Sequence, residues 1–192
     1  MVTTRLSAPD PTMRTSYVEA LRELDAEGNG HYFAMVHPAD ASFPRADFTA
    51  ETLQDPATFE EFCARTAALA EPDAPRPAGW VTSTLLWMVD GDDEVVGRIS
   101  LRHALTPWLL EVGGHIGYAV RPTARRLGHA TRGLGLVLPV AAARGIDPAL
   151  VTCDEDNLGS RRVIEANGGV LEDVRNGKRR YWLPTGAAGR GV

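Results

Sequence analysis

Cysteine is scarce in this chain, with only Cys63 and Cys153 among 192 residues. Two cysteines cannot form the multi-bridge framework of a small secreted domain, and they are too few for a four-thiolate zinc site. The five histidines show no spacing typical of a metal site, so we predict no bound metal. The scarcity of thiols instead favours a protein of the reducing cytoplasm.

The chain also lacks a basic surplus and any long apolar run. Its 20 Lys and Arg residues are outnumbered by 25 Asp and Glu residues, which gives a net charge of −5. A general nucleic-acid binder would show the opposite balance. The longest apolar stretch, residues 133–143, is far shorter than the ~20 residues of a membrane-spanning helix. Residues 1–10 hold no apolar signal-peptide core. We therefore expect a cytoplasmic protein without nucleic-acid or membrane partners.

The length and an apolar fraction of 44% suit one domain with a full hydrophobic core. In the first half, apolar residues repeat at helical spacing over residues 17–24 and again over residues 59–69. Asp55 and Pro56 are a natural N-cap and a first-turn proline for the second of these segments. We predict two helices there.

The pattern changes to strands after a proline-rich loop at residues 71–79. β-Branched and aromatic runs predict strands at residues 81–89, 95–101, 115–120 and 150–153, and Asn176-Gly177 predicts a closing hairpin. Helical spacing returns over residues 130–144 and 160–167. This order predicts a mixed α/β sheet and not a regular βαβ winding.

The helix predicted over residues 130–144 contains three unfavourable residues. Pro139 removes a backbone donor and clashes with the preceding turn, which costs about 3 kcal/mol in a helix interior. Gly133 and Gly135 each cost about 1 kcal/mol relative to alanine. We expect either a kink at Pro139 or packing that compensates.

The strongest candidate for a binding site is the segment from Val120 to Thr131, where a strand leads through a basic, glycine-containing loop into a helix. Unpaired backbone N–H groups and the helix dipole converge at such a junction and bind anions, diphosphates above all. Gly128 allows close approach of the backbone, and Arg125 or Arg126 adds positive charge. A surface turn with solvated arginines is the alternative interpretation of this pattern taken alone.

The pattern Arg125-x-x-Gly128-x-Ala130, after a strand that ends in Val-Arg-Pro, resembles the signature of the GNAT superfamily of acyl-CoA-dependent N-acyltransferases. The following Asn157-x-x-Ser160 is similar to an element that these proteins carry after their fifth strand. Several phrases resemble one bacterial branch of predicted acetyltransferases: Gly97–His103, Gly113–Tyr118, Thr152–Asn157, Ser160–Gly169 and Arg180–Trp182. The resemblance covers residues 80–183. It implies a central, mostly antiparallel twisted sheet with a splayed parallel strand pair, flanked by helices.

The resemblance also implies a site for acetyl-CoA as the acyl donor. Its diphosphate would lie on the backbone N–H groups of residues 126–131, and its pantetheine arm in the gap between strands 116–120 and 150–153. The residues expected to bind the donor are Tyr118, Val120, Arg125, Arg126, Leu127, Gly128, His129, Ala130, Thr131, Asn157 and Ser160.

The groups that move protons are less clearly marked. Family members often use a tyrosine seven residues after the asparagine as general acid, and that position is Ile164 here. Ser160, Tyr118, Tyr181 or water would have to protonate the leaving thiolate, or the thiolate leaves unaided. Many relatives carry a basic carboxylate 11 residues before the first motif arginine, and that position is Gly114.

A base must nevertheless take a proton from the acceptor amine, which is protonated near pH 7. His115 and Glu111 are the nearest candidates to Gly114, and His103 is a further one. Asp154, Glu155 and Asp156 either attract a cationic amine or form a solvated acidic loop.

We therefore expect a single acyltransferase domain over residues 1–192. Residues 12–79 form its helical, acceptor-side portion, residues 80–183 its sheet and donor-binding core, and residues 184–192 a flexible tail. The expected reaction moves an acetyl group to a small-molecule or peptide amine, and a homodimer would be compatible with the family. The alternative is a non-catalytic acyl-CoA-binding or sensing module, because both usual proton-transfer positions are altered.

Overall fold

A seven-stranded sheet forms the centre of the computed structural model, which describes residues 3–186. Its strand order is β1-β4-β5-β6-β7-β9-β8, and β2 and β3 form a separate two-stranded sheet. The strands are β1 (Arg5–Ser7), β2 (Met35–His37), β3 (Ala46–Phe48), β4 (Ser83–Asp90), β5 (Glu94–Arg102), β6 (Ile116–Val120), β7 (Ala149–Asp154), β8 (Val170–Arg175) and β9 (Lys178–Leu183). Neighbouring strands of the large sheet are antiparallel except β6 and β7, which are parallel. The predicted fold class is confirmed.

Helices cover both faces of the large sheet. They are α1 (Arg14–Ala26), α2 (Pro56–Ala68), α3 (His129–Ala143) and α4 (Leu158–Ala166). The predicted N-cap of α2 is observed, because Asp55 Oδ2 accepts a hydrogen bond of 2.8 Å from the backbone N–H of Thr58. No helix within residues 3–186 has both the length and the apolar character needed to cross a membrane.

Three short strands and several single helical turns were not predicted. The strands β1, β2 and β3 have only three residues each, and Leu109–Gly113 forms a π-helical turn before β6. Segments this short carry too few residues for a periodic pattern to appear. β1 pairs with β4 and thereby extends the predicted sheet by one edge strand.

An aromatic core joins α1 and α2 to one face of the sheet. Tyr17 of α1 lies 4.6 Å from Trp87 of β4 and 5.3 Å from Phe62 of α2, measured between ring centroids. The Tyr17 hydroxyl is buried and donates to the Phe33 carbonyl at 2.8 Å, so this polar group costs little. The N-terminal helices are thus fixed against β4 and β5.

An aliphatic core joins α3 and α4 to the opposite face. It includes Leu134, Val137 and Leu138 of α3, Ile99 of β5 and Ile164 of α4. α3 continues through Pro139, which lies on its solvent side. A Cβ at Gly133 would overlap Met88 Sδ, so this glycine lets α3 approach β4 closely.

The chain remains attached to the fold beyond β9. Thr185 is buried, its backbone N–H donates to Asp147 Oδ1 at 2.9 Å, and its hydroxyl donates to the Ile146 carbonyl at 2.7 Å. Residues 184–186 are therefore held in place at the start of the expected tail. The rest of that segment, residues 187–192, lies outside the described residues.

Candidate active site

β6 and β7 separate soon after they meet. Their register contains one aligned pair, Ile116 with Val151, although each strand is fully paired on its other side, with β5 and β9. The β7-facing edge of β6 beyond Ile116 is therefore open toward the gap. This is the splayed pair that the sequence resemblance implies.

Residues at the closed end of the gap hold the two strands together. The backbone N–H of His115 donates to the Leu150 carbonyl at 2.7 Å, and the Leu150 N–H donates to His115 Nδ1 at 2.9 Å. Gly114 has φ of +63°, and a Cβ there would lie 2.7 Å from the Leu150 oxygen. The contact with β7 therefore requires glycine at this position, and a carboxylate cannot occupy it.

The loop after β6 ends in an unpaired cradle of backbone N–H groups. Gly128 is the N-cap of α3 with φ of +101°, and Arg126 has φ of +68°. Within the described residues, none of the N–H groups of residues 126–131 donates a hydrogen bond, and the first such bond runs from Arg132 to the Gly128 carbonyl. Six free donors at the positive end of a helix dipole form an anion site. The residues present therefore fit the diphosphate of an acyl-CoA.

Most of the arginines near this cradle make intramolecular contacts that stabilise the fold. Arg121 is buried and paired with Glu23, and Arg125 forms a two-pronged pair with Glu27 at 2.7 and 3.1 Å. Arg132 Nε donates to the Thr4 carbonyl at 2.7 Å. The expected concentration of positive charge is thus largely neutralised by α1. Arg126 has no carboxylate partner among residues 3–186 and is therefore able to contact an anion at this loop.

A cavity of about 760 Å³ extends from this cradle into the gap between β6 and β7. We call it the donor cavity. The predicted donor residues that line it are Tyr118, Val120, Arg125, Arg126, Gly128, His129, Ala130, Thr131, Asn157 and Ser160. Leu127 is absent from the lining, and its side chain is exposed. The His129 ring is buried and hydrogen bonded to Thr4 Oγ1 at 2.9 Å, so it is occupied away from the cradle.

Two hydroxyl groups meet inside the donor cavity. Asn157 caps α4 by accepting a 2.9 Å hydrogen bond from the Ser160 N–H, which fixes the position of Ser160. The Tyr118 hydroxyl lies 2.7 Å from Ser160 Oγ. Burial raises the pKa of Tyr118 above its ordinary value, so the phenol stays protonated at neutral pH. This pair can donate a hydrogen bond to a group in the gap.

The other predicted sources of a proton lie elsewhere. Ile164 is fully buried in the aliphatic core, so α4 supplies no acid from that position. The Tyr181 hydroxyl donates to Glu165 Oε1 at 3.3 Å, and Tyr181 does not line the donor cavity. Of the side chains predicted as proton donors, Tyr118 and Ser160 are therefore the two that line the donor cavity.

The geometry argues against His115 as the base. Burial, and next the nearby charge of Arg102, lowers the pKa of His115 below its ordinary value. A neutral imidazole that accepts at Nδ1 carries its proton on Nε2 and has no free lone pair. His115 also does not line the donor cavity. We assign it a structural role at the closed end of the gap.

Glu111 and His103 also make their polar contacts away from the gap between β6 and β7. Glu111 Oε2 accepts from Asn176 Nδ2 at 3.2 Å and lies 3.3 Å from Arg175 Nε, at the β8–β9 hairpin. His103 Nε2 lies 2.9 Å from Thr84 Oγ1. Burial and the charge of Arg144 lower the pKa of His103. Neither residue lines the donor cavity, so the structure does not bring these predicted bases to it.

The acidic loop after β7 mostly makes ion pairs and hydrogen bonds with neighbouring parts of the chain. Asp154 pairs with Lys178, and its carbonyl accepts from the Asn157 N–H at 3.1 Å. Of the three acids, Asp154 alone lines the donor cavity. Among residues 3–186, no group of three His, Cys, Asp or Glu side chains is placed to hold a metal ion.

A second cavity of about 740 Å³ lies on the face of the sheet covered by α1 and α2. We call it the acceptor cavity. The segment after α1 lines both cavities, with Asn29 and Tyr32 in the donor cavity and Gly30 and His31 in this one. Sequence reasoning missed its polar floor, which Arg98, Ser100 and Arg102 form from alternate positions of β5. The polar residues at every second position of a predicted strand were the available signal.

Comparison with known proteins agrees with this geometry. A family model described as an acetyltransferase (GNAT) domain matches residues 17–170. A sequence comparison with curated proteins finds no match.

Three solved structures share the fold along nearly their whole length. The ribosomal-protein-S5-alanine acetyltransferase from Vibrio fischeri is 12% identical with a TM-score of 0.61, and the alignment covers 96% of this chain and 94% of that one. The microcin C7 self-immunity acetyltransferase MccE, in complex with acetyl-CoA and AMP, is 12% identical with a TM-score of 0.58, covering 94% and 92%. The ribosomal L7/L12 alpha-N-protein acetyltransferase RimL, in complex with coenzyme A, is 17% identical with a TM-score of 0.58, covering 95% and 94%.

The likeness to these structures shows the fold, and the family match spans most of the chain, including the splayed strands, the N–H cradle and α4. The protein therefore belongs to the GNAT family of acetyltransferases.

Proposed function

We propose that this acetyltransferase moves an acetyl group from acetyl-CoA to a primary amine by direct attack in a ternary complex. The observation that carries the proposal is the cradle of six free N–H groups at residues 126–131, which opens into the gap that holds the Tyr118–Ser160 pair. An anion site joined to a strand gap suits a donor with a diphosphate at one end and a thioester at the other.

The donor would bind along the donor cavity. Its diphosphate would accept hydrogen bonds from the cradle and gain charge from Arg126, and its pantetheine arm would pair with the open edge of β6 near Tyr118 and Val120. Asn157 and Ser160 would flank that arm from α4. The MccE and RimL structures contain acetyl-CoA and coenzyme A respectively, which supports this class of donor.

The reaction forms a C–N bond and breaks the thioester C–S bond. The amine lone pair attacks the carbonyl carbon, the electron pair of the C–S bond leaves with sulfur, and the nitrogen gives up a proton. We propose that the Tyr118 hydroxyl, aligned by Ser160, donates a hydrogen bond to the departing sulfur. Because a thiol has a pKa of ~8.5, this donor needs to stabilise the thiolate only moderately.

The proton of the amine needs an acceptor on the other side of the sheet. Asp25, His31 and His37 are the described side chains of the acceptor cavity that can take a proton. His37 Nδ1 lies 2.6 Å from the Pro38 carbonyl, which places its proton on Nδ1 and leaves Nε2 free. We propose that one of these three groups, directly or through water, replaces His115 as the base.

A non-catalytic acyl-CoA-binding module is the competing function. The burial of Ile164 and the engagement of His115 favour it, because both remove a group that acyl transfer commonly uses. This alternative shares the donor site and differs only in turnover.

Calorimetry with acetyl-CoA tests the donor site. We expect wild-type protein to bind, and Gly128→Glu to bind at least 100-fold more weakly, because it places a carboxylate in the anion cradle. Gly145→Glu is the matched control, since Gly145 also has positive φ, of +74°, and lies just beyond the other end of α3 with open space around it. Absence of binding by the wild type would refute the proposal.

Thiol release across a panel of primary amines separates the two functions. Amine-dependent release of free thiol supports acyl transfer. Tight acetyl-CoA binding without release for any amine favours the binding module.

A further inference from the structure

Two arginines on the floor of the acceptor cavity have no carboxylate partner. Arg98 Nη1 donates to the Phe33 carbonyl at 3.3 Å, and Arg102 Nη1 donates to the carbonyls of Gly113 at 2.9 Å and Gly114 at 3.1 Å. Among residues 3–186, no carboxylate oxygen lies within 4.0 Å of either guanidinium. Both side chains are partly buried and line the same cavity.

This lack of carboxylate partners contrasts with the two most buried arginines of the described residues. Arg180 is 1% exposed and paired with Glu172 and Asp173, and buried Arg121 is paired with Glu23. The chain has 25 acidic residues, so acids are not in short supply. Arg98 and Arg102 therefore differ from the buried Arg121 and Arg180 in having no carboxylate partner among residues 3–186.

The pKa values of the two guanidinium groups indicate that their charged forms are unfavourable in this arrangement. Burial lowers the pKa of both Arg98 and Arg102, and the charge of Arg98 lowers that of Arg102 further. Both groups stay charged at neutral pH, because the guanidinium pKa lies far above it. Two like charges in a partly desolvated cavity are unfavourable until an anion binds between them or beside them.

The surroundings of the pair leave room for a ligand. Gly117 on the neighbouring strand β6 has no side chain, and a Cβ there would lie 3.6 Å from Arg102 Nη1. Trp80 and Trp108 line the same cavity and are 50% and 66% exposed. A charged floor beneath exposed aromatic surface suits a small molecule or chain end that has one anionic group and an apolar body.

We propose that the acceptor is a primary amine that also carries an anionic group, a carboxylate or a phosphate, and that Arg98 and Arg102 bind that group. The inference rests on the proposed function, because it takes this cavity as the acceptor site. The arginines hold the anionic end of the acceptor, while the amine reaches toward the gap between β6 and β7.

Three small primary amines test the proposal: n-propylamine, β-alanine and O-phosphoethanolamine. With acetyl-CoA saturating, we expect kcat/KM for at least one of the two anionic amines to exceed that of n-propylamine tenfold or more. The better of the two identifies carboxylate or phosphate as the recognised group. Equal or faster turnover of n-propylamine overturns the proposal.

Arginine variants locate the effect in the cavity. Arg98→Gln and Arg102→Gln should each lower kcat/KM for the anionic amine at least tenfold, mainly by raising KM, and should lower it by a larger factor than kcat/KM for n-propylamine. Arg102→Lys keeps the positive charge and should retain more of the preference for the anionic amine than Arg102→Gln does. An effect that came only from lost hydrogen bonds to the Gly113 and Gly114 carbonyls would not follow the charge in this way. Arg45→Gln, at an exposed arginine paired with Asp47, is the control. An unchanged preference in both Gln variants overturns the assignment.

Direct binding separates this inference from the proposed function. With the donor site saturated by coenzyme A, calorimetry should show wild-type protein binding one anionic amine and Arg98→Gln binding it at least tenfold more weakly. Failure of the wild type to bind either anionic amine overturns the inference, even if neutral amines are acetylated. Binding of an anionic amine without turnover supports the anion site and counts against the transferase function.

Discussion

At the scale of single residues, the hydroxyl group proposed to assist the departing sulfur belongs to Tyr118, a partly buried residue of β6, and not to a residue of α4. Ile164 is 0% exposed and belongs to the core, whereas Tyr118 faces the donor cavity and touches Ser160. The tyrosine hydroxyl stays protonated because burial raises its pKa. The sequence offers Tyr118 and Ser160 as two of several candidates but does not show their contact, because the two residues meet only when β6 and α4 pack together.

We expect Tyr118→Phe to lower kcat for amine acetylation about 10- to 100-fold, with KM for acetyl-CoA changed less than threefold. The ring still lines the cavity in this variant, but the donor to the departing sulfur is lost. Steady-state thiol release measures both constants. Tyr181→Phe is the control, because its hydroxyl contacts Glu165 and lies outside both cavities. An equal loss of kcat in both variants would contradict the assignment.

The partners of the arginines near the N–H cradle could not be predicted from the sequence. The loop proposed to bind the donor was predicted from its contiguous strand, glycine and helix start, and the structure contains each of these elements. The partners of its arginines are not contiguous. Glu23 of α1 and Glu27, which directly follows α1, lie about 100 residues earlier, and they neutralise Arg121 and Arg125. Only the folded chain shows that Arg126 keeps its charge available.

At the scale of elements, α3 carries its unfavourable residues for different reasons. Gly133 lies against Met88 of β4, and a Cβ at Gly135 would lie 3.0 Å from Asn167 Oδ1, whose amide is held by the Thr131 and Val163 carbonyls. Both glycines therefore allow close packing of α3. Pro139 lies on the exposed side and serves no such contact among the described residues.

We expect Pro139→Ala to raise the free energy of unfolding by about 1–2 kcal/mol, because it restores a backbone donor toward the Gly135 carbonyl. Gly133→Ala, despite its better helix propensity, should lower it by more than about 1 kcal/mol through overlap with Met88. Urea unfolding followed by circular dichroism gives both values. Stabilisation by Gly133→Ala would show that the close approach of α3 to β4 is not required.

Elements were predicted well where a pattern extended over several residues. The helices α1 to α4 and the strands β4 to β9 were all expected, with ends displaced by a few residues. The strands β1, β2 and β3 were missed, and their pairing depends on partners far along the chain: Arg5 of β1 lies opposite Val89 of β4. A three-residue strand is stabilised by its neighbours rather than by its own sequence.

At the scale of the whole molecule, the two cavities differ in how they are assembled. Most of the donor cavity comes from residues 118–131 and 154–166, which form two contiguous motifs. The acceptor cavity combines segments from residues 25–37, 78–85 and 98–109. The proposed donor site could therefore be predicted from local patterns, whereas the proposed acceptor site could be recognised only once β5, β6 and the N-terminal helices were placed around the cavity.

The link that His115 makes between β6 and β7 should make the stability of the whole fold depend on pH. Burial lowers the pKa values of both His115 and His103 in the folded protein, whereas an unfolded histidine titrates near pH 6.5. The unfolded state therefore binds more protons as the pH falls below about 6.5, and the free energy of unfolding decreases by at most about 1.4 kcal/mol per pH unit for each histidine. Carboxylates with lowered pKa values, such as Glu23 and Asp40, lose their contribution at lower pH.

We expect the free energy of unfolding, from urea titrations, to be constant between pH 7.5 and 6.5 and to fall between pH 6.5 and 5. His115→Asn should reduce that fall, because the amide oxygen can still accept from the Leu150 N–H but cannot be protonated in this range. His103→Asn should remove the remaining part, and the double variant should show a nearly flat profile. A wild-type stability that rises as the pH falls toward 5 would mean that these histidines gain protons on folding, and that His115 is not the neutral acceptor that closes the gap between β6 and β7.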